Sequence, residues 1–144
     1  MRTLAIDPGE RVGWAVGDAS PNGLDILEQG VHPLKDFALK LGEVIANYDV
    51  VVYESWRLYP NAAKTMIGND MQPSQLVGMI RYLGWLNPQV KMVVQGANIK
   101  ETALKTMPEH IHERLAKSSE QHDQDAIMHL WFYWWDKYVR QEAK

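Results

Sequence analysis

Residues 50–53 read Val-Val-Val-Tyr, an unbroken apolar run that stops on Glu54. A strand with one face in water alternates apolar and polar residues. A run with no polar member belongs to a strand covered on both faces. A chain with such a strand must build layers on each side of a sheet, and the remaining apolar pattern shows how. Thr3–Ile6 is a short apolar strand ending on the turn Asp7-Pro8-Gly9, and Val12–Val16 is a second, turned at Gly17-Asp18. Pro21-Asn22-Gly23 forms a hairpin turn into a third strand through Leu24 and Ile26 to Gly30. Val90–Val94 supplies a fifth strand after Val50–Glu54.

Helical periodicity fills the gaps. Leu34, Phe37, Leu41, Val44 and Ile45 mark a first helix, and Leu76, Val77, Ile80 and Leu83 a second, opened by Pro73. Asn98 with Glu101, and Ser118 with Gln121, resemble capping pairs for two more, the last spanning about 121–141. The order β-β-β-α-β-α-β-α-α predicts an α/β fold: a mixed five-stranded sheet flanked by helices, with residues 1–144 as one domain. Residues 55–72 mix aromatics, bases and turn formers and read as an irregular loop.

Composition excludes several chemistries. The 144 residues contain no cysteine, which removes disulfides, thiolate zinc and a cysteine nucleophile. The longest oily stretch, Ile127–Trp135, is too short to span a membrane and contains His129. The N-terminus lacks a signal-peptide pattern, so a cytoplasmic location is expected. The net charge of −3 is unevenly distributed: residues 1–55 hold 4 bases and 9 acids, residues 56–117 hold 8 and 4, and residues 118–144 hold 3 and 5. A basic middle between acidic ends suits a polyanionic partner better than the sum implies.

Asp7 and Glu54 both stand where apolar strands emerge, and ligands of open α/β sheets gather at such carboxyl ends. His122 and Asp125 lie on one face of the final helix at i, i+3, and Ala126 beside them permits close approach to the sheet. Each acid alone reads more simply as a turn former or a solvated residue. Together, Asp7, Glu54, His122 and Asp125 form an oxygen-rich set without cysteine, suited to Mg²⁺ or Mn²⁺. Paired ions in such a set serve in-line displacement at phosphorus. Asp123 reads as a favourable charge near a helix N-terminus, and His129 as a packed or interfacial histidine.

Leu4-Ala5-Ile6-Asp7-Pro8-Gly9 with Gly13-Trp14-Ala15, then Val51-Val52-Tyr53-Glu54, then His122-Asp123-Gln124-Asp125-Ala126 resemble the three motif blocks of the RuvC-like Holliday junction resolvases, in the ribonuclease H-like superfamily. The resemblance spans nearly the whole chain. It implies an endonuclease that cuts branched DNA with symmetric paired nicks, acting as a homodimer. It implies Asp7, Glu54, His122 and Asp125 as catalytic metal ligands, with two Mg²⁺ per site. Some family members carry Asp where this chain has His122. The helix Gln75–Arg81 resembles the family helix with a Gly and a following Arg, and the short cysteine-free form resembles bacteriophage members. A ribonuclease H-fold nuclease acting on RNA and a non-catalytic junction-binding protein are the alternatives.

The basic middle offers phosphate contacts: Arg57, Lys64, Arg81, Lys100 and Lys105, with Lys100 first because it begins a helix. Trp56 and Tyr59 are candidates for stacking on an unpaired base. Any one of the lysines reads more simply as a solvated surface residue, and the two aromatics equally as packed loop side chains. Trp131, Trp134, Trp135 and Tyr138 exceed what one helix face needs, so they are buried either in a second copy of the chain or in the helix's own core.

Overall fold

The computed structural model describes residues 1–56, 72–118 and 121–143. Strands β1 (Arg2–Asp7), β2 (Arg11–Ser20) and β3 (Gly23–Pro33) form an antiparallel meander. Strand β4 (Val50–Glu54) pairs parallel with β1, and β5 (Lys91–Gln95) pairs parallel with β4. The sheet order is β3-β2-β1-β4-β5. The expected mixed five-stranded sheet is therefore present, with β1 and β4 in its interior.

Helices cover both faces, as the apolar run in β4 requires. On one side lie α1 (Leu34–Val44) and α2 (Gln72–Leu86), whose Phe37, Leu41, Leu76 and Ile80 pack on Leu4, Ile6, Val51 and Tyr53. On the other lie α3 (Ile99–Thr106), α4 (Glu109–Ala116) and α5 (Gln121–Trp135), packed on Ala5, Ala15, Val50 and Val52. The helix α4 has no counterpart in the expected order. It is eight residues long, with only Ile111 and Leu115 buried, too short a stripe to register as helical periodicity. The final helix is also interrupted: after Trp135 the chain continues as a π-helical turn, Asp136–Arg140.

Small side chains let α5 lie close to the sheet. Ala5 and Ala15 face each other across β1 and β2, and Ala126 is fully buried against them. Gly13 carries this furthest: a Cβ there would sit 1.9 Å from the His122 carbonyl oxygen. The first turn of α5 therefore rests directly on β2, beside Asp7, which pairs in register with Gly13.

The Asn98 cap does not form: Asn98 makes no side-chain cap hydrogen bond and already has helical backbone angles. Ser118 donates to the buried Asp123 carboxylate, and Gln29 Nε2 donates to that carboxylate at 3.3 Å. Asp123 is thus a buried acceptor tying the start of α5 to β3, and not a solvated charge near a helix end; a buried carboxylate needs such donors.

The C-terminal aromatics are used largely within the chain. Trp131 is buried and donates to Thr106 Oγ1 at 2.9 Å, and Trp134 donates to the Ser20 carbonyl at 2.7 Å. Phe132, Trp134, Trp135 and Tyr138 pack against the α5-side core. Four large apolar side chains are exposed together on α2: Met79, Tyr82, Trp85 and Leu86, with Trp85 72% exposed. These positions follow the i, i+3 spacing of one helix face.

Candidate active site

Three neighbouring strands end together. Ile6 pairs with Tyr53 and Glu54 with Gln95, so Asp7, Glu54 and Gln95 stand side by side at the carboxyl edge of β1, β4 and β5. Alternation along each strand decides their direction. Ala5, Val52 and Val93 pack on the α5 side, and Leu4, Val51 and Met92 on the other. Two residues beyond the first set, Asp7, Glu54 and Gln95 face α5 as well.

Helix α5 meets this edge with a stripe spaced three and four residues apart: His122, Asp125 and His129. His122 Nδ1 lies 3.3 Å from Asp7 Oδ2. Asp125 Oδ2 accepts from Lys100 Nζ at 3.0 Å, and the same ammonium is 3.1 Å from Glu54 Oε2. Asp125 Oδ1 accepts from Gln121 Nε2 at 3.0 Å. His129 Nε2 lies 2.9 Å from Glu54 Oε2, and its Nδ1 lies 2.8 Å from Gln95 Oε1.

The electrostatics divide the two strand-end acids. Asp7 is raised from 3.8 to about 8, first by burial and then by the charges of Glu54 and Asp125, which Lys100 offsets only in part. Burial also works to raise Glu54, but the His129 hydrogen bond and charge and the Lys100 ammonium outweigh it and hold Glu54 at about 2. Burial likewise opposes charge on Lys100, yet Asp125 and Glu54 raise it overall. The site thus pushes Asp7 up and Glu54 down, with one ammonium shared between Glu54 and Asp125.

The donors are satisfied by one another in this arrangement. Among the described residues no three His, Asp or Glu side chains close on a common point as a formed metal cage. The donor set nevertheless suits a hard divalent cation. Glu54 and Asp125 already converge on one cationic group, and Asp7 lacks enough positive charge nearby to stay ionised at neutral pH. A cation that draws oxygen ligands would supply that charge.

The whole architecture matches solved structures closely. T. thermophilus RuvC in complex with a Holliday junction substrate is similar with a TM-score of 0.69 at 15% identity, over 96% of this chain and 97% of that one. The fold is that of the Holliday junction resolvases. The fowlpox virus resolvase bound to Holliday junction DNA shares it with a TM-score of 0.59 and 18% identity over the full length of both chains. The yeast mitochondrial resolvase Ydc2 does so with 0.65 and 13%, over 98% of this chain and 82% of that one. No family model and no curated protein sequence matches the chain significantly.

Within this resolvase fold the structure brings Asp7, Glu54, His122 and Asp125 to one place. Lys100 joins them; it is drawn inward between two carboxylates and not extended as a surface cation. Trp56 is half-buried and lines a cleft of about 630 Å³ next to Glu54, together with Gln95, Gly96 and Asn98. Lys105 is exposed and pairs with Glu101 at 2.8 Å, while Arg81 is exposed on α2, the helix covering the opposite face. Arg57, Tyr59 and Lys64 lie outside the described residues.

Two participants were not legible. His129 has no exposed surface, yet it is not an inert packed or interfacial ring: both nitrogens are engaged at the site. Gln95 is its partner on β5. The spacing 122-125-129 was the available signal for His129, since it continues the stripe by one turn. Gln95 had only its place at a strand end.

Proposed function

We propose that this chain is a metal-dependent endonuclease that cuts branched DNA, resolving Holliday junctions by paired nicks as a homodimer. The observation carrying the reading is the convergence of Asp7, Glu54 and Asp125, with His122, at the carboxyl edge of a resolvase-fold sheet. A protein that only bound DNA would gain nothing by concentrating acids against phosphates.

Asp7, Glu54, Asp125 and His122 would hold Mg²⁺, or Mn²⁺, as one or two ions. Bound there, such ions supply water activation and charge stabilisation for phosphodiester hydrolysis. The chain's own groups do the rest. Asp7 would lose its proton to solvent on taking up a cation, and His122 Nδ1, 3.3 Å from Asp7 Oδ2, would orient that carboxylate. Lys100, now shared by Glu54 and Asp125, would be placed to pair with a phosphate oxygen once those carboxylates held a cation. Trp56 offers an aromatic face in the adjoining cleft for a base flanking the cut.

The two-fold symmetry of paired nicks calls for two copies. We place the second copy on the exposed α2 face of Met79, Tyr82, Trp85 and Leu86, because four large apolar side chains meet solvent together there. A synthetic four-way junction, a linear duplex and an RNA hairpin, each incubated with Mg²⁺ or EDTA, test the reading. Metal-dependent paired cuts in the junction alone are expected. Cleavage of RNA but not the junction would favour the ribonuclease alternative, and binding without cleavage would remove the enzyme.

A further inference from the structure

His129 sits in the aromatic half of α5, where a leucine or methionine would pack at lower cost. Its ring is fully buried, and burying an imidazole in an apolar interface is costly unless its polar atoms are matched. They are matched at two strand ends at once. Nε2 meets Glu54 Oε2 at 2.9 Å and Nδ1 meets Gln95 Oε1 at 2.8 Å, and Glu54 and Gln95 are paired neighbours on β4 and β5. The ring therefore spans the two strands from above, behind the acid cluster.

We propose that His129, braced by Gln95, is a positioning residue that fixes the Glu54 carboxylate within the acid cluster. This rests on the nuclease reading of that cluster. The carboxylate of Glu54 can only accept, so the ring must donate to it through Nε2–H. Gln95 can serve Nδ1 in either form of the ring, offering its amide N–H₂ to a neutral imidazole or its Oε1 to an imidazolium. The bond to Glu54 is kept in both cases. Apart from His129, Glu54 is held by the Lys100 ammonium at 3.1 Å, which it shares with Asp125. The clamp stops it from rotating away and leaves Oε1 free of His129. One helix thus sets three contacts in order: His122 on Asp7, Asp125 on Lys100, and His129 on Glu54.

The test compares wild type with His129→Leu, Gln95→Leu and the double variant. Three quantities are read: Mn²⁺ affinity by calorimetry without DNA, the Mg²⁺ concentration giving half-maximal junction cleavage, and junction affinity in EDTA. His129→Leu is expected to weaken metal affinity about 10–100-fold, the usual effect of losing a group that orients a metal ligand. The half-maximal Mg²⁺ should rise in parallel while junction affinity in EDTA changes less than twofold. Gln95→Leu should move both metal readouts the same way by less, and add little in the His129→Leu background, because it acts through the ring. A merely structural histidine would lower the melting temperature without this metal-specific and non-additive pattern. Should His129→Leu fail to fold, Gln95→Leu, which keeps the ring, decides alone.

Metal affinity within twofold of wild type in folded variants would overturn the positioning role. If wild type binds metal, loses that binding in the variants, and yet cuts no nucleic acid, the clamp stands and the nuclease reading falls. If wild type binds no metal, both fall.

Discussion

Gly13 lies directly beneath the His122 carbonyl: a Cβ on Gly13 would stand 1.9 Å from that oxygen and 2.7 Å from the Asp123 nitrogen. Backbone atoms, and not a flexible side-chain end, occupy the space, so nothing small can move aside. Gly13→Ala is therefore expected to lift the first turn of α5 off β2. The cost should reach about 1–3 kcal/mol in chemical denaturation, as for other overpacked interiors. Cleavage should fall by about 10²-fold, since a displacement near 1 Å suffices for that. Gly42→Ala is the control: nothing lies within 4 Å of its Cβ position, and it sits in a helix, so stability should hold or rise by up to about 1 kcal/mol.

Under the proposed metal site, Asp7 would make metal binding depend on pH. Its folded-state value of about 8 lies above its ordinary 3.8, so the folded protein holds this proton where the unfolded chain has lost it. In EDTA the resulting contribution to stability is full below about pH 4 and is lost as pH rises towards 8. Glu54 acts in the opposite sense: held at about 2, it contributes stability above its ordinary 4.5 that is lost as pH falls towards 2. A cation must displace the Asp7 proton. Calorimetric Mn²⁺ affinity should therefore climb about tenfold per pH unit up to about 8, with about one proton released per site. Affinity that is flat between pH 6 and 8 would contradict the protonated Asp7.

Lys100 is the internal countercharge of Glu54 and Asp125. In Lys100→Met the two carboxylates lose it, and the variant should melt below wild type in EDTA. Mg²⁺ should recover most of the difference, because the ion supplies the missing charge. Scanning calorimetry in both buffers checks this. A deficit that Mg²⁺ leaves untouched would show that Lys100 supports packing and not charge balance.

Trp85 tests the assembly. Sedimentation should find wild type dimeric and Trp85→Glu monomeric, with circular dichroism unchanged, since the ring is largely exposed. The monomer should still bind a junction but lose the pairing of its two nicks.

The sheet and the acids were legible because each leaves a local mark. Val50–Tyr53 announces a doubly covered strand, and Asp7 and Glu54 end apolar runs. His122 and Asp125 share a helix face within four residues. What escaped depends on contacts distant in sequence. Asp123 looks like a solvated helix-end charge until Gln29, 94 residues away, is seen to hold it. His129 looks like packing until Glu54, 75 residues away, arrives beneath it. The C-terminal tryptophans looked surplus because Ser20 and Thr106, which accept their N–H groups, are brought to them only by folding.

The most direct measurement is single-turnover cleavage of a four-way junction in Mg²⁺ by wild type, Asp7→Asn and Asp125→Asn, with junction affinity measured in parallel. Both variants should bind the junction at least as tightly as wild type, because neither adds negative charge near phosphate. Both should cut slower by about 10³-fold or more, as when a member of a catalytic unit is removed. Cleavage by Asp7→Asn within tenfold of wild type would contradict the account.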